Sequence, residues 1–216
     1  MKPIIAIDCE TGGLDETKHA LLSVGLVELD ADLCPVRLKE VFIKPMAPSK
    51  EHNPITKEAV DVNGYSEKEW DRNSAKCALD SMCQIVNWLP KDFTFIAHNA
   101  EFDKKFFEHN TSLFFYKYEK RDWICTKKLY QSIAGDPCNL STAAVKVGHW
   151  PEDYSRKVHG ALIDALACAA VYKWCMKQSN LLTQDIEKDS PLKKFYENPF
   201  PNQISEKFQK IFDKIG

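Results

Sequence analysis

The chain has 216 residues, 44% of them apolar, which suits one compact domain with a short extension and argues against disorder in the bulk. Its 29 Lys and Arg are nearly cancelled by 31 Asp and Glu. That balance argues against tight wrapping of duplex nucleic acid, which draws its affinity from phosphate contacts, but permits a small site where metal ions supply the positive charge.

Three strand-like runs come first, over residues 3–9, 21–29 and 36–43, with Gly12-Gly13 and the Asp30–Pro35 segment as turns. Short connections favour an antiparallel meander. The period then changes. Ala75, Ala78, Leu79, Met82, Val86 and Leu89 recur at helical spacing, and Ser66 with Glu69 forms a capping box ahead of them. Phe93 to Ala97 reads as a buried strand, followed by a helix from about Ala100 to Phe107. Residues 121–125 suit a last strand and 140–147 a helix. Gly160 to Met176 suits a long helix carrying Ala161, Ala165, Ala169 and Tyr172. Residues 179–202 read as a linker or irregular extension, and 203–214 as a short helix with Ile204, Phe208, Ile211 and Phe212 on one face. A meander followed by strands alternating with helices gives an α/β class with a mixed sheet.

Chemistry concentrates in three blocks: Asp8-Cys9-Glu10-Thr11-Gly12, His98-Asn99-Ala100-Glu101-Phe102-Asp103 and His159-Gly160-Ala161-Leu162-Ile163-Asp164-Ala165. Strand side chains share a face every second residue, so Asp8 and Glu10 can project together. Neighbouring carboxylates repel unless a cation lies between them. Oxygen ligands without a Cys/His cluster suit Mg²⁺ or Mn²⁺ better than zinc. His159 and Asp164 are five apart, about 140° around a helix, so they meet at one site only if His159 precedes the helix. The stretch from Pro151 to Val158, with Arg156 and Lys157, suits a mobile basic loop there.

The blocks DCETGG, HNAEFD and HGALIDA together resemble the DEDDh group of 3′–5′ exonucleases, nearest its epsilon-like branch. Gly12 departs from the second Thr often seen in the first block. The resemblance spans about residues 3 to 178, making 1–178 the expected catalytic domain and 179–216 an extension. It implies an RNase H-like fold, a five-stranded mixed sheet with helices on both sides. It also implies a pair of Mg²⁺ ions, replaceable by Mn²⁺. Asp8, Glu10 and Asp164 would hold one ion, Asp8 and Asp103 the other, and His159 would take the proton of the attacking water. An imidazole pKa near 6.5 suits that role.

Each residue also has a plainer reading. His98 is expected to support its loop, and Asn99 to cap the following helix or touch substrate. Leu14 and Phe102 are wedge candidates against terminal bases, with core packing as the alternative. The backbone amides of Thr11 and Gly12 could approach the terminal nucleotide, since glycine leaves room. Lys104 and Lys105 suit a solvated helix face or phosphate contact. Phe114, Phe115, Tyr116 and Tyr118 suit burial against the sheet. His19, His52, His109 and His149 show no partner pattern. The eight cysteines form no CxxC pair, and Cys168 and Cys175 read as core or surface residues on a helix.

The expected activity is therefore removal of 5′-nucleoside monophosphates from single-stranded 3′ ends, with DNA favoured over RNA. An RNase T-like or oligoribonuclease-like enzyme is the alternative, and a non-catalytic nucleic-acid or polymerase-binding module the third reading. The resemblance leaves open a polymerase or replication partner and a homodimer. Gln203 to Phe208 faintly resembles a clamp-docking peptide. With no signal-like start and no apolar run near the roughly 18 to 20 residues of a membrane span, a cytoplasmic protein with no membrane contact is expected.

Overall fold

Near-continuous apolar runs make the sheet. Ile4–Thr11 forms β1, Leu21–Leu29 β2 and Pro35–Phe42 β3, paired in sequence and antiparallel, as their short turns require. Thr94–Ala97 (β4) adds parallel to β1, and Asp122–Cys125 (β5) parallel to β4, giving the order β3-β2-β1-β4-β5. β1 is thus the middle strand, and its apolar sequence is what a strand covered on both faces needs. The structure, a computed structural model, describes residues 2–46, 54–115, 121–152 and 159–184.

Seven helices accompany the sheet among the described residues: Lys57–Asn63 (α1), Glu67–Arg72 (α2), Ala78–Trp88 (α3), Ala100–Phe114 (α4), Thr126–Ala134 (α5), Leu140–Lys146 (α6) and Ala161–Gln184 (α7). Three of them depart from the sequence pattern. Ser66 does cap a helix, its Oγ accepting from the Glu69 amide at 3.2 Å, but that helix is the separate α2. The capping box therefore does not open α3. Within α3 the buried face is Ala78, Ser81, Met82 and Ile85, while Leu79 is exposed and Val86 only half-buried. The apolar spacing had placed Leu79 and Val86 inside. α7 continues to Gln184, so residues 179–184 are helix rather than linker. The expected terminal helix at 203–214 lies outside the described residues.

Ile5, Ile7 and Cys9 of β1 face one way, into a core with Val24, Leu26, Met82, Ile85, Phe95, Phe106 and Phe107 from β2, α3, β4 and α4. Aromatic rings knit it together: Phe95 has Phe93, Phe107 and Trp123 at 4.7, 5.1 and 4.5 Å between centroids. By strand alternation Asp8 and Glu10 point to the other face. There α7 approaches the sheet at Gly25 of β2, where an added Cβ would lie 2.2 Å from the carbonyl of Ala161. The mixed five-stranded sheet with helices on both sides is as the family resemblance implied. By its internal contacts the chain divides into two compact units, Met1–Met176 and Lys177–Gly216. No described helix is long and apolar enough to cross a membrane.

Candidate active site

Asp8 and Glu10 lie within β1, which runs two residues further than its apolar stretch suggests. Pairing with β4 ends at Ala6 opposite Ile96, so β1 projects past its parallel neighbour. The exposed strand edge acquires a side-chain partner instead. Asp103, in the first turn of α4, accepts a hydrogen bond from the Cys9 amide at 2.9 Å. That bond ties the second block to the first. Asp103 is almost fully buried, and burial drives its carboxyl well above the usual carboxylate range. The negative charges of Glu10 and Asp164 push the same way, against the amides of Cys9 and Asp103. The three acids therefore share one poorly solvated region.

The third block arrives from the other side. His159 lies two residues before α7, as the five-residue spacing to Asp164 requires. Its amide donates to the Val62 carbonyl of α1 at 2.9 Å, and its side chain is exposed. Asp164 is buried in the first turn, its amide bonded to the Gly160 carbonyl at 3.0 Å. His159 Nδ1 stands 3.2 Å from Asp164 Oδ2. Ligand atoms of Glu10, His159 and Asp164 all fall within 4.8 Å of one another. Crowded carboxylate oxygens with one imidazole fit a hard divalent cation, which relieves their mutual repulsion. The loop expected at 151–158 lies mostly outside the described residues.

Several neighbours take roles other than those their sequence suggested. Asn99 occupies the N-cap position of α4 but makes no side-chain cap bond. Its backbone is left-handed, at φ 80°, whereas a capping side chain needs an extended backbone. Asparagine is tolerated there because its short polar side chain suits that region. The amide of Gly12 is used within the chain, donating to the Ala20 carbonyl at 2.8 Å. A Cβ on Gly12 would meet the Pro54 carbonyl oxygen at 1.9 Å, so this glycine lets the 54–56 segment close on β1. The Thr11 hydroxyl donates to the Gly13 carbonyl at 2.7 Å. Lys105 is partly exposed but not unpaired: Nζ donates to the Leu14 carbonyl and lies 3.2 Å from Glu16.

Leu14 stands out at 78% exposure, and Lys105 fixes the backbone behind it. Phe102 is half-buried, 5.1 Å from Phe106, with Lys105 Nζ 5.5 Å from its ring. His98 supports its loop: its ring nitrogens meet Thr126 Oγ1 at 3.1 Å and the Cys138 carbonyl at 3.2 Å, and burial lowers its pKa. Phe114 and Phe115 pack against the core, while Tyr116 and Tyr118 lie outside the described residues. The sequence pattern did not reveal Asn63. Its buried amide donates to the Thr11 carbonyl at 3.0 Å, so consecutive residues Val62 and Asn63 tie His159 and the end of β1 to α1. Gly25 carried a signal, since a lone glycine inside a strand marks a close backbone approach.

Comparison with known proteins agrees with this arrangement. The RNase_T exonuclease family matches residues 5–172. The epsilon subunit of DNA polymerase III from Rickettsia conorii is 26% identical over 209 residues, covering 94% of this chain and 86% of that protein. Among solved structures, exonuclease X in complex with 5′-overhanging duplex DNA has a TM-score of 0.59 at 21% identity, covering 83% of this chain and 93% of its own. A 3′-exonuclease that recognises the histone mRNA stem-loop has a TM-score of 0.61 at 17% identity, covering 82% of each chain. Family match, fold and clustered acids agree: the chain belongs to the RNase_T exonuclease family and is a hydrolytic exonuclease of the DEDDh type with an RNase H-like fold.

Proposed function

We propose that this exonuclease is metal-dependent and hydrolyses single-stranded nucleic acid from the 3′ end, releasing 5′-nucleoside monophosphates, with DNA the favoured substrate. The supporting observation is the cluster in which Glu10, His159 and Asp164 converge within 4.8 Å. Asp8 on the same strand face and Asp103 on the Cys9 amide complete the set. Asp8, Glu10, Asp103 and Asp164 would hold two Mg²⁺ or Mn²⁺ ions. Bound there, such ions activate water and offset the charge that develops on the phosphate.

The protein's own residues do the rest. A proton on Nδ1 of His159 bonds to Asp164, which orients the ring and presents Nε2 as the accepting nitrogen. The exposed His159 side chain can reach a proton on the solvent side. Leu14 and Phe102 would hold the terminal bases through apolar faces, a grip indifferent to base identity. The Asn99 side chain is not engaged in capping and is a candidate for substrate contact. DNA is preferred because the curated relative is a DNA polymerase subunit, which also makes a polymerase a candidate partner. RNA is the second reading, favoured by the RNA-recognising 3′-exonuclease among the structural neighbours.

The test incubates the protein with Mg²⁺ and 5′-labelled single strands of DNA and RNA of equal length. A faster ladder of products on DNA is expected. A faster ladder on RNA would reverse the preference, and no product on either would overturn the proposal.

A further inference from the structure

We infer that Glu40, two strands away from Asp8, is a positioning residue for the start of α7, acting on the hydrolytic site through His159 and Asp164. The inference rests on the function proposed for those two residues. Cross-strand register places Asp8 opposite Gly25, and Gly25 opposite Glu40. Residues directly opposite one another share a sheet face. Two carboxylates therefore flank a gap where Gly25 has no side chain.

The first turn of α7 occupies that gap. A Cβ on Gly25 would stand 2.2 Å from the Ala161 carbonyl carbon and 2.4 Å from the Leu162 nitrogen. Glu40 Oε1 accepts a hydrogen bond from the Leu162 amide at 3.3 Å. That amide is one of the four at a helix start that have no partner inside the helix. A carboxylate there also meets the positive end of the helix dipole. Leu162 lies between His159 and Asp164 in sequence, so any shift of this turn moves both together. Asp8 serves the chemistry from one side of the helix seat, and Glu40 holds the helix from the other.

The test uses the full chain with Glu40→Ala and Glu40→Gln, each alone and combined with His159→Ala. Turnover on a 5′-labelled single strand is measured beside hydrogen exchange at the Leu162 amide. Misplacing catalytic groups by about an ångström can cost about 10²-fold, so Glu40→Ala is expected to lower kcat by about 10- to 100-fold with KM unchanged. Glu40→Gln keeps an acceptor oxygen and is expected to restore kcat to within about threefold and to keep Leu162 protected. Residues acting through one another are not additive, so Glu40→Ala should cost less in the His159→Ala background than alone, the remaining loss being the part that acts through Asp164. An equal loss in both backgrounds would make Glu40 a general stabiliser and overturn the inference. Unchanged kcat and unchanged Leu162 exchange in Glu40→Ala would also overturn it. If the native chain hydrolysed nothing, the proposed function would fall, and the same two variants would show by Leu162 exchange whether Glu40 holds the helix. Should Glu40→Ala not fold, Glu40→Gln decides: lost Leu162 protection with an unchanged kcat would overturn the inference.

Discussion

Asp8 and His159 are proposed to make separable contributions to hydrolysis. Asp8 is proposed to bridge both metal ions, so Asp8→Ala is expected to abolish hydrolysis and to weaken Mn²⁺ binding. Calorimetric titration with Mn²⁺ beside an activity assay checks both, and normal turnover would remove Asp8 from the site. His159 is proposed as the base. Its loss is expected to cost about 10²- to 10⁴-fold in rate while Mn²⁺ still binds. Because its ring nitrogen lies within 4.8 Å of carboxylate oxygens of Glu10 and Asp164, the alternative has a clear signature. Should His159→Ala lose Mn²⁺ affinity as strongly as Asp8→Ala, His159 is a ligand.

At the scale of elements, the site is an encounter between the end of β1 and the starts of α4 and α7. Gly25 sets how closely α7 can approach. Gly25→Ala would drive a methyl against the backbone of Ala161 and Leu162, with no flexible side chain to yield. Overpacking of this kind costs about 1–3 kcal/mol, and the displaced helix carries His159 and Asp164 with it. A lower melting temperature and a lower kcat are expected together; unchanged values of both would mean the helix seats elsewhere. The sheet was legible because β1, β2 and β4 are runs of apolar residues between turn residues. The acids proposed to bind metal were legible as candidates because their blocks are local in sequence. What stayed hidden came from tertiary packing. The bond from Lys105 to Leu14 joins elements far apart in the chain. The helices α1 and α5 are only 7 and 9 residues long, although Leu129, Tyr130 and Ile133 of α5 do recur at helical spacing. Asn63 is a polar residue whose role lies wholly in its distant partner, the Thr11 carbonyl.

For the whole molecule, acid sensitivity is expected from a group outside the site. Burial pushes the His149 imidazole down from 6.5 to about 4. The fold thus holds a neutral ring that the unfolded chain protonates more readily. That contribution is neutral above about pH 6.5 and becomes destabilising as pH falls from 6.5 towards 4, by about 3 kcal/mol as an upper value. His149→Phe is expected to flatten that part of the melting-temperature profile, and superimposable profiles would contradict the assignment. The near balance of charge bears on substrate choice. With 29 basic and 31 acidic residues the molecule has little general attraction for duplex phosphates, which suits the proposed recognition of ends through a local site. The most direct test follows from that need for an end. Linear and covalently closed circular single-stranded DNA of the same sequence are incubated with the protein and Mg²⁺, and the products are resolved. The linear strand should yield 5′-nucleoside monophosphates while the circle stays intact. Efficient cutting of the circle would mean an endonuclease and contradict the proposed action at 3′ ends.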